Sequence, residues 1–293
     1  MTAFRPSGQT QVFGIFGHPV RHSLSPKMQQ AAFEALNLPH IYLPFEVMPD
    51  QLGQAAAAIR ALDLQGINIT IPHKENVIPY LDEIDAEARK IGAVNTIQNK
   101  GGRLTGFNTD GRGFVASLEE AGLQPANHIV LLLGAGGAAK GVAVALLDAG
   151  VSKMHILARR PLAAENLAKR LKSIFPQRTI TAAASRSEKT TTLQTEKSVL
   201  LINSTPLGMS PEDALPYPAS QIKPEWVVAD LIYRPYETPL LIAAKKLGAT
   251  TIPGLGMLLH QGALSFKIWT GLNPPIDRMR HVLRHAFSEN KKP

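Results

Sequence analysis

The chain has 293 residues, of which 44% are apolar, 18% charged and none cysteine, and its formal charge is +8. That size and apolar content can fill two cores, while the absence of cysteine excludes disulfides and thiolate metal sites. No stretch nears the roughly 20 apolar residues of a membrane span, and residues 1–10 lack the apolar run of a signal peptide, so a cytoplasmic protein without membrane partners is expected. The basic residues are scattered, with a modest gathering at Arg278, Arg280, Arg284, Lys291 and Lys292, and aromatics are only 6%. That pattern argues against nucleic-acid binding and suits small anionic metabolites and phosphorylated cofactors.

In chain order, residues 12–16 form a short apolar strand broken by Gly17-His18-Pro19. The polar run Arg21-His22-Ser23-Leu24-Ser25-Pro26 comes next, then apolar residues at helical spacing over 28–36. Ser25 before Pro26 reads as an N-cap with proline at the first helical position. Ser23 has no such role; residues two apart in an extended loop point the same way, so the two hydroxyls can converge on a polyol or carboxylate. Strands at 41–47 and 66–71 with a helix at 51–62 between them indicate βαβ units and a largely parallel sheet. The last of these strands runs into Thr70-Ile71-Pro72-His73-Lys74, at the carboxyl end where open α/β sheets bind ligands. Lys74 reads equally as a solvated lysine, and His73 as a packed one. On spacing alone, Asn108 or Asp110 is as well explained as a cap for a helix at 113–120.

The middle of the chain is more specific. The aliphatic run 129–133 predicts a strand buried on both faces; it stops at a glycine cluster and gives way to an Ala/Val/Leu-rich helix. Strand, glycine turn and helix are the context that a G-x-G-x-x-[GA] dinucleotide fingerprint requires, met here by Gly134, Gly136 and Ala139. Gly134 permits the tight turn, Gly136 the close approach of a pyrophosphate, and the helix N-terminus offers its amides. After the next strand (153–157) no acidic residue stands before Ala164, whereas Arg159 and Arg160 do. An acidic residue would hold a ribose 2′-hydroxyl; arginine's fork suits a 2′-phosphate, so NADP(H) is the expected cofactor. A helix is predicted at 162–175, buried strands at 199–202 and 227–231, and a helix at 239–247 closed by Gly248. Residues 181–197 read as a loop with a weak surface helix. The proline-rich stretch 205–224 is a long loop, of a length that is usually functional, with Thr205-Pro206 placed to close over a cofactor. The apolar stretch 254–269 lacks a polar face and is expected to be buried at the domain junction, with Gln261 as a polar group for a ligand.

Eight motifs in order resemble the shikimate dehydrogenase family: HSLSP (22–26), GINITIPHK (66–74), GAVNT (92–96), GFNTD (106–110), GAGGA (134–138), NSTPLGM (203–209), DLIYRPYETPLL (230–241) and GLGMLLHQGALSFKIWTG (254–271). The resemblance implies an α/β fold in two domains: an N-terminal α/β substrate domain with a mainly parallel sheet and a Rossmann-type dinucleotide-binding domain, joined by helices across a cleft. The expected bounds are 1–107 plus 258–293 for substrate and 108–257 for NADP. It further implies that Ser23 and Ser25 hold a carboxylate, and that Thr70, Lys74, Asn95, Asp110 and Gln261, with Tyr233 nearby, surround ring hydroxyls. Lys74 and Asp110 resemble the catalytic pair. Gly134, Ala135, Gly136, Gly137 and Ala138 resemble the phosphate loop, and Leu231 and Gly254 match positions beside the nicotinamide. Where the family often has Asn-Arg-Thr, this chain has Ala158-Arg159-Arg160-Pro161.

The expected activity is reversible reduction of 3-dehydroshikimate to shikimate with NADPH, in aromatic amino-acid biosynthesis. No metal is expected, and the chain is expected to act on a small-molecule substrate as a monomer or homodimer. Alternatives are a dual-specificity quinate/shikimate dehydrogenase using NAD or NADP, and a catalytically dead NADP-binding protein. A methylenetetrahydrofolate dehydrogenase would share the architecture but would not explain Ser23, Ser25, Asn95 and Asp110 together.

Overall fold

The computed structural model describes residues 6–184, 198–210 and 212–288. The chain divides into two compact units, one made of Met1–Asp110 with Leu259–Pro293, the other of Gly111–Leu258. The first is therefore discontinuous in sequence.

The first unit contains β1 (Gln11–Gly17), α1 (Ser25–Ala35), β2 (His40–Glu46), α2 (Leu52–Ala61), β3 (Gly66–Ile69), β4 (Glu83–Ile84), α3 (Ala86–Ile91), β5 (Thr96–Lys100) and β6 (Arg103–Phe107). Its sheet runs β2-β1-β3-β5-β6-β4. β1 pairs in parallel with β2 and β3, and β4 with β6; α1 and α2 supply the crossovers that β1 to β3 need for parallel pairing; β5 is antiparallel to both β3 and β6. The β5–β6 hairpin turns through Gly101 and Gly102, at φ of 58° and 87°. Two consecutive left-handed residues make the tight turn whose twist suits paired strands, and glycine enters it at little cost. Phe16, Ile59, Ile67, Ile69, Val94 and Ile97 belong to one core cluster of this unit. The indole of Trp269 occupies the space over Gly66, where a Cβ would lie 2.4 Å from Nε1, and donates to Ile97 O at 2.8 Å.

Three local readings are corrected here. Ser25 is not an N-cap: that position is Leu24, without a side-chain cap, and Ser25 is the first residue of α1. The third strand stops at Ile69, because Thr70 N still reaches Phe16 O but Pro72 has no N–H to continue the ladder. Residues 181–184, taken with the polar loop, are the end of a strand paired to its neighbour; the rest of that stretch, 185–197, lies outside the described residues.

The second unit runs α4 (Asp110–Glu120), β7 (Ile129–Leu133), α5 (Gly137–Asp148), β8 (Lys153–Ala158), α6 (Pro161–Ile174), β9 (Thr179–Ala184), β10 (Val199–Asn203), β11 (Val227–Asp230), α7 (Pro239–Lys246) and β12 (Thr250–Ile252). The boundary between units falls within α4 at one end and within α8 (Leu255–Thr270) at the other; α9 (Ile276–Ser288) follows α8. The second sheet is ordered β12-β11-β10-β7-β8-β9, and every pairing is parallel. Fully buried β10 carries no polar alternation, as a strand covered on both faces requires. The order reverses between β7 and β10, so a dinucleotide site is expected beyond their carboxyl ends. Among the described residues, no helix is long and apolar enough to cross a membrane.

Candidate active site

In the first unit, Lys74 follows the β3 strand end and Asp110 opens α4. Lys74 Nζ donates to Asp110 Oδ2 at 2.5 Å; their side chains are 15% and 4% exposed. Such a pair, nearly shut off from water, is bound more strongly than a surface ion pair. The other carboxylate oxygen accepts from Asn95 Nδ2 at 2.8 Å. Asn95 Nδ2 also approaches Gln261 Oε1 at 3.4 Å, which brings a residue of α8 into the cluster. Lys74, Asn95, Asp110 and Gln261, separated by up to 187 positions in sequence, thus meet in one hydrogen-bonded group. Asn108 turns the chain into α4, its Oδ1 accepting from Asp110 N at 3.1 Å; this frees the Asp110 carboxylate from capping.

Ser23 lies in the loop before α1, and its Oγ accepts from Ser25 N at 3.2 Å. Ser25 is buried on the inner side of α1. One helical turn later on the same face, Gln29 donates from Nε2 to Gly262 O at 2.9 Å, joining α1 to the α8 segment that holds Gln261. Thr70 N donates to Phe16 O at 2.9 Å, and Thr70 O accepts from His73 N at 2.9 Å. His73 is fully buried with Nε2 2.7 Å from Val47 O, so it is a packed histidine. Tyr233 belongs to the second unit.

A buried polar network behind this cluster was not singled out from the sequence. Asn68 Nδ2 donates to Asn95 O, Thr96 Oγ1 and Ser265 Oγ at 3.0–3.2 Å, and Tyr42 OH donates to Asn68 Oδ1 at 2.7 Å. Asn95 Oδ1 accepts from Thr109 N at 2.8 Å. Asn95 is thereby held on both sides of its amide, which fixes the orientation of the donor aimed at Asp110. The available signal was an asparagine between two isoleucines of a fully buried strand, a position that demands hydrogen-bond partners.

In the second unit, Gly134 ends β7 with φ of 110°, and a Cβ there would meet Ser204 Oγ at 2.5 Å; only glycine fits. Gly136 is the N-cap of α5, and nothing lies within 4 Å of where its Cβ would be. The space above it is open, and the amides of residues 137–139 precede the helix's first internal acceptors. With Ala135, Gly137 and Ala138 in the same turn, this is a row of N–H groups of the kind that can hold a pyrophosphate. Arg159 and Arg160 are exposed at the end of β8, with Arg160 the N-cap of α6. Both lie beyond the strand adjoining β7, where a ribose 2′-substituent is read in such folds.

Thr205, Leu231 and Gly254 are linked through a second buried network. Asp230, 1% exposed at the end of β11, accepts from Asn203 Nδ2 and Ile232 N on Oδ1, both at 3.0 Å, and from Thr238 Oγ1 on Oδ2 at 2.7 Å. Burial pushes the Asp230 carboxyl up to about 6, against the pull of these donors. Asn203 Oδ1 in turn accepts from Thr205 N at 3.0 Å and Thr205 Oγ1 at 2.7 Å. Leu231 N reaches Asn203 O at 2.9 Å, and the backbone of Gly254 abuts this loop so closely that a Cβ would lie 2.5 Å from Leu231 O.

Residues 15–97 match the family model for the shikimate dehydrogenase substrate binding domain, and residues 254–284 that for the shikimate 5′-dehydrogenase C-terminal domain. A protein of Desulforamulus reducens described as shikimate dehydrogenase (NADP(+)) is 46% identical over 97% of this chain and 98% of its own length. The chain belongs to the shikimate dehydrogenase family. The crystal structure of shikimate 5-dehydrogenase from Thermus thermophilus, in complex with NADP(H) and shikimate, is similar with a TM-score of 0.82 and 38% identity, covering 94% of this chain and 99% of that one. Quinate dehydrogenase from Corynebacterium glutamicum, in complex with NAD, has a TM-score of 0.85 at 30% identity over 94% and 99% of the two chains. For a shikimate dehydrogenase family member, the substrate-domain match contains Ser23, Ser25, Thr70, Lys74 and Asn95, and the C-terminal match Gly254 and Gln261.

Proposed function

We propose that the chain catalyses the reversible NADPH-linked reduction of 3-dehydroshikimate to shikimate. The observation that carries this reading is the Lys74–Asp110 pair at 2.5 Å, shielded from solvent and held by Asn95, in a chain of this family. In this reading residues 1–107 with 258–293 bind the substrate and 108–257 bind NADP(H). When bound, NADP(H) exchanges a hydride with the carbon bearing the ring hydroxyl.

Lys74 serves as the general acid–base: it takes the hydroxyl proton as the alcohol is oxidised and returns one to the oxygen on reduction. Its ammonium also stabilises negative charge developing on that oxygen. Asp110 orients the Lys74 amine and accepts from a neighbouring substrate hydroxyl. Asn95, Gln261 and Thr70 hold ring hydroxyls, with Tyr233 adjacent, and Ser23 and Ser25 hold the carboxylate. On the cofactor side, residues 134–138 cradle the pyrophosphate, Arg159 and Arg160 hold the 2′-phosphate, and Thr205, Leu231 and Gly254 border the nicotinamide. The protein acts in the cytoplasm on this small molecule, as a monomer or homodimer, without metal or nucleic acid.

The test is the initial rate of cofactor reduction with shikimate or quinate crossed against NADP⁺ or NAD⁺. Strong activity only with shikimate and NADP⁺ is expected. Comparable rates with quinate or NAD⁺ would place the chain with dual-specificity enzymes instead. A folded protein inactive in all four combinations would be a binding protein instead.

A further inference from the structure

We propose that Asp230, acting with Asn203, is a positioning residue for the nicotinamide end of the cofactor site: one buried carboxylate clamps two loops into the arrangement that binds NADP⁺. The inference rests on the function proposed above and goes beyond it by assigning a role to residues outside the cofactor contacts.

Asp230 accepts three hydrogen bonds, and each reaches a different piece of chain. Ile232 N belongs to the loop after β11, Thr238 Oγ1 to the start of α7, and Asn203 Nδ2 to the end of β10. Thr238 itself caps α7 through Leu241 N at 3.4 Å, so the loop 231–238 is anchored at both ends by this carboxylate. Asn203 passes the constraint on. Its Oδ1 holds Thr205 through both amide and hydroxyl, and its Nδ2 donates to Leu207 O at 3.0 Å. Thr205 Oγ1 then accepts from Leu207 N at 3.2 Å. Asp230, Asn203 and Thr238 are all at or below 1% exposure. A charge placed there without touching the ligand is costly to bury, and its three donors all belong to the segments that carry Thr205 and Leu231. The neighbouring Gly254 leaves the loop little slack, since a Cβ there would lie 2.5 Å from Leu231 O and 2.7 Å from Ile232 O. Pre-ordering both loops removes a cost that binding would otherwise meet.

The experiment measures the Kd for NADP⁺ by calorimetry and the KM for shikimate, with melting temperatures alongside, in the wild type, Asp230→Asn, Thr238→Val and Thr238→Ser. Asp230→Asn keeps the shape but turns one acceptor into a donor facing donors. Its NADP⁺ Kd is expected to rise about 10- to 100-fold, the worth of charge-assisted hydrogen bonds, while the KM for shikimate at saturating NADP⁺ stays within about twofold. Thr238→Val is expected to give a smaller rise, roughly 3- to 10-fold, and Thr238→Ser, which keeps the hydroxyl, to restore wild-type affinity. A lower melting temperature with unchanged NADP⁺ Kd, or equal loss for both ligands, overturns the inference and leaves a purely structural carboxylate. If Asp230→Asn does not fold, the Thr238 pair decides: equal affinities for Val and Ser overturn it. A wild type that binds no NADP⁺ overturns the proposed function and this inference with it.

Discussion

Asp230→Asn also gives a direct physical test of the buried carboxyl through stability rather than ligand binding. In the unfolded chain this carboxyl titrates near 3.8, and in the folded protein burial raises it to about 6. Below pH 3.8 it is protonated in both states and contributes nothing. Between those values the folded state holds a proton that the unfolded state has released, so stability falls as pH rises. Above pH 6 the full cost is present: the rise from 3.8 to about 6, at roughly 1.4 kcal/mol per pH unit, is about 3 kcal/mol. Asparagine has no such titration. It carries a constant cost of about 1–3 kcal/mol for donors left without an acceptor. The unfolding free energy of the variant minus that of the wild type should therefore rise by about 2.4 kcal/mol between pH 4 and pH 7, since part of the cost is already present at pH 4. The assay is guanidinium unfolding followed by tryptophan fluorescence. Trp226 is fully buried in the same core cluster as Val228 and Leu240, and the only other tryptophan is Trp269, so a Trp269→Phe background makes the signal report the second unit alone. A difference that stays flat from pH 4 to pH 7 would refute the raised carboxyl. A difference of opposite slope would mean that its three donors outweigh burial.

Three further variants probe the site. Lys74→Met should lower turnover by about 10²–10⁴-fold, the usual worth of a general acid–base; near-normal steady-state turnover removes Lys74 from the chemistry. Its stability cost should fall below the roughly 3–5 kcal/mol of a broken, fully buried ion pair, because Asn95 still donates to Asp110. Arg159→Ala combined with Arg160→Ala should raise the KM for NADP⁺ by roughly 10- to 100-fold, while the KM for NAD⁺ stays within about twofold; parallel changes for both cofactors would exclude the 2′-phosphate as their ligand. Gly134→Ala combines a φ of 110° with a Cβ 2.5 Å from Ser204 Oγ. It should cost about 1–3 kcal/mol, read as a melting temperature lower by roughly 2–4 °C per kcal/mol; an unchanged melting temperature contradicts the strain.

Elements whose sequence pattern follows from burial were the legible ones. The aliphatic β7 and β10 announce a doubly covered sheet, and Gly134 and Gly136 mark the turn to α5 because backbone geometry leaves few alternatives there. The Lys74–Asp110 pair was legible only through the order of the motifs, since one lysine and one aspartate 36 positions apart carry no spacing signal of their own. Ser25 was misread as a cap because Ser-Pro fits that role locally, whereas the fold starts α1 one residue earlier and buries the serine. The β5–β6 hairpin went unseen although Gly101-Gly102 is a good two-residue turn: the preceding alternation of strands and helices favoured a parallel reading. The Asn68 and Asp230 networks depend on partners up to 197 positions away, and such a partnership cannot be deduced from either residue's neighbours.

The discontinuity of the first unit has a consequence for how the protein is made. The second unit, Gly111–Leu258, is one uninterrupted stretch and can close while the ribosome still holds the C-terminal helices. The first unit begins earlier yet must wait for Phe266, Trp269, Met279 and Leu283, all buried or half-buried apolar residues from the end of the chain. At about 5–20 residues per second, that wait is on the order of ten seconds, during which the face of β1 and β3 that Trp269 covers, at Phe13 and Gly66, stays exposed. Gln261 and Ser265 arrive in the same late segment, so Asn95 gains its contact with Gln261, and Asn68 and Thr109 theirs with Ser265, only once that segment is made. Chains stalled before that segment would therefore carry a complete second unit while the Lys74–Asn95–Asp110 cluster still lacked Gln261; under the function proposed above, such a fragment would hold cofactor without turning it over.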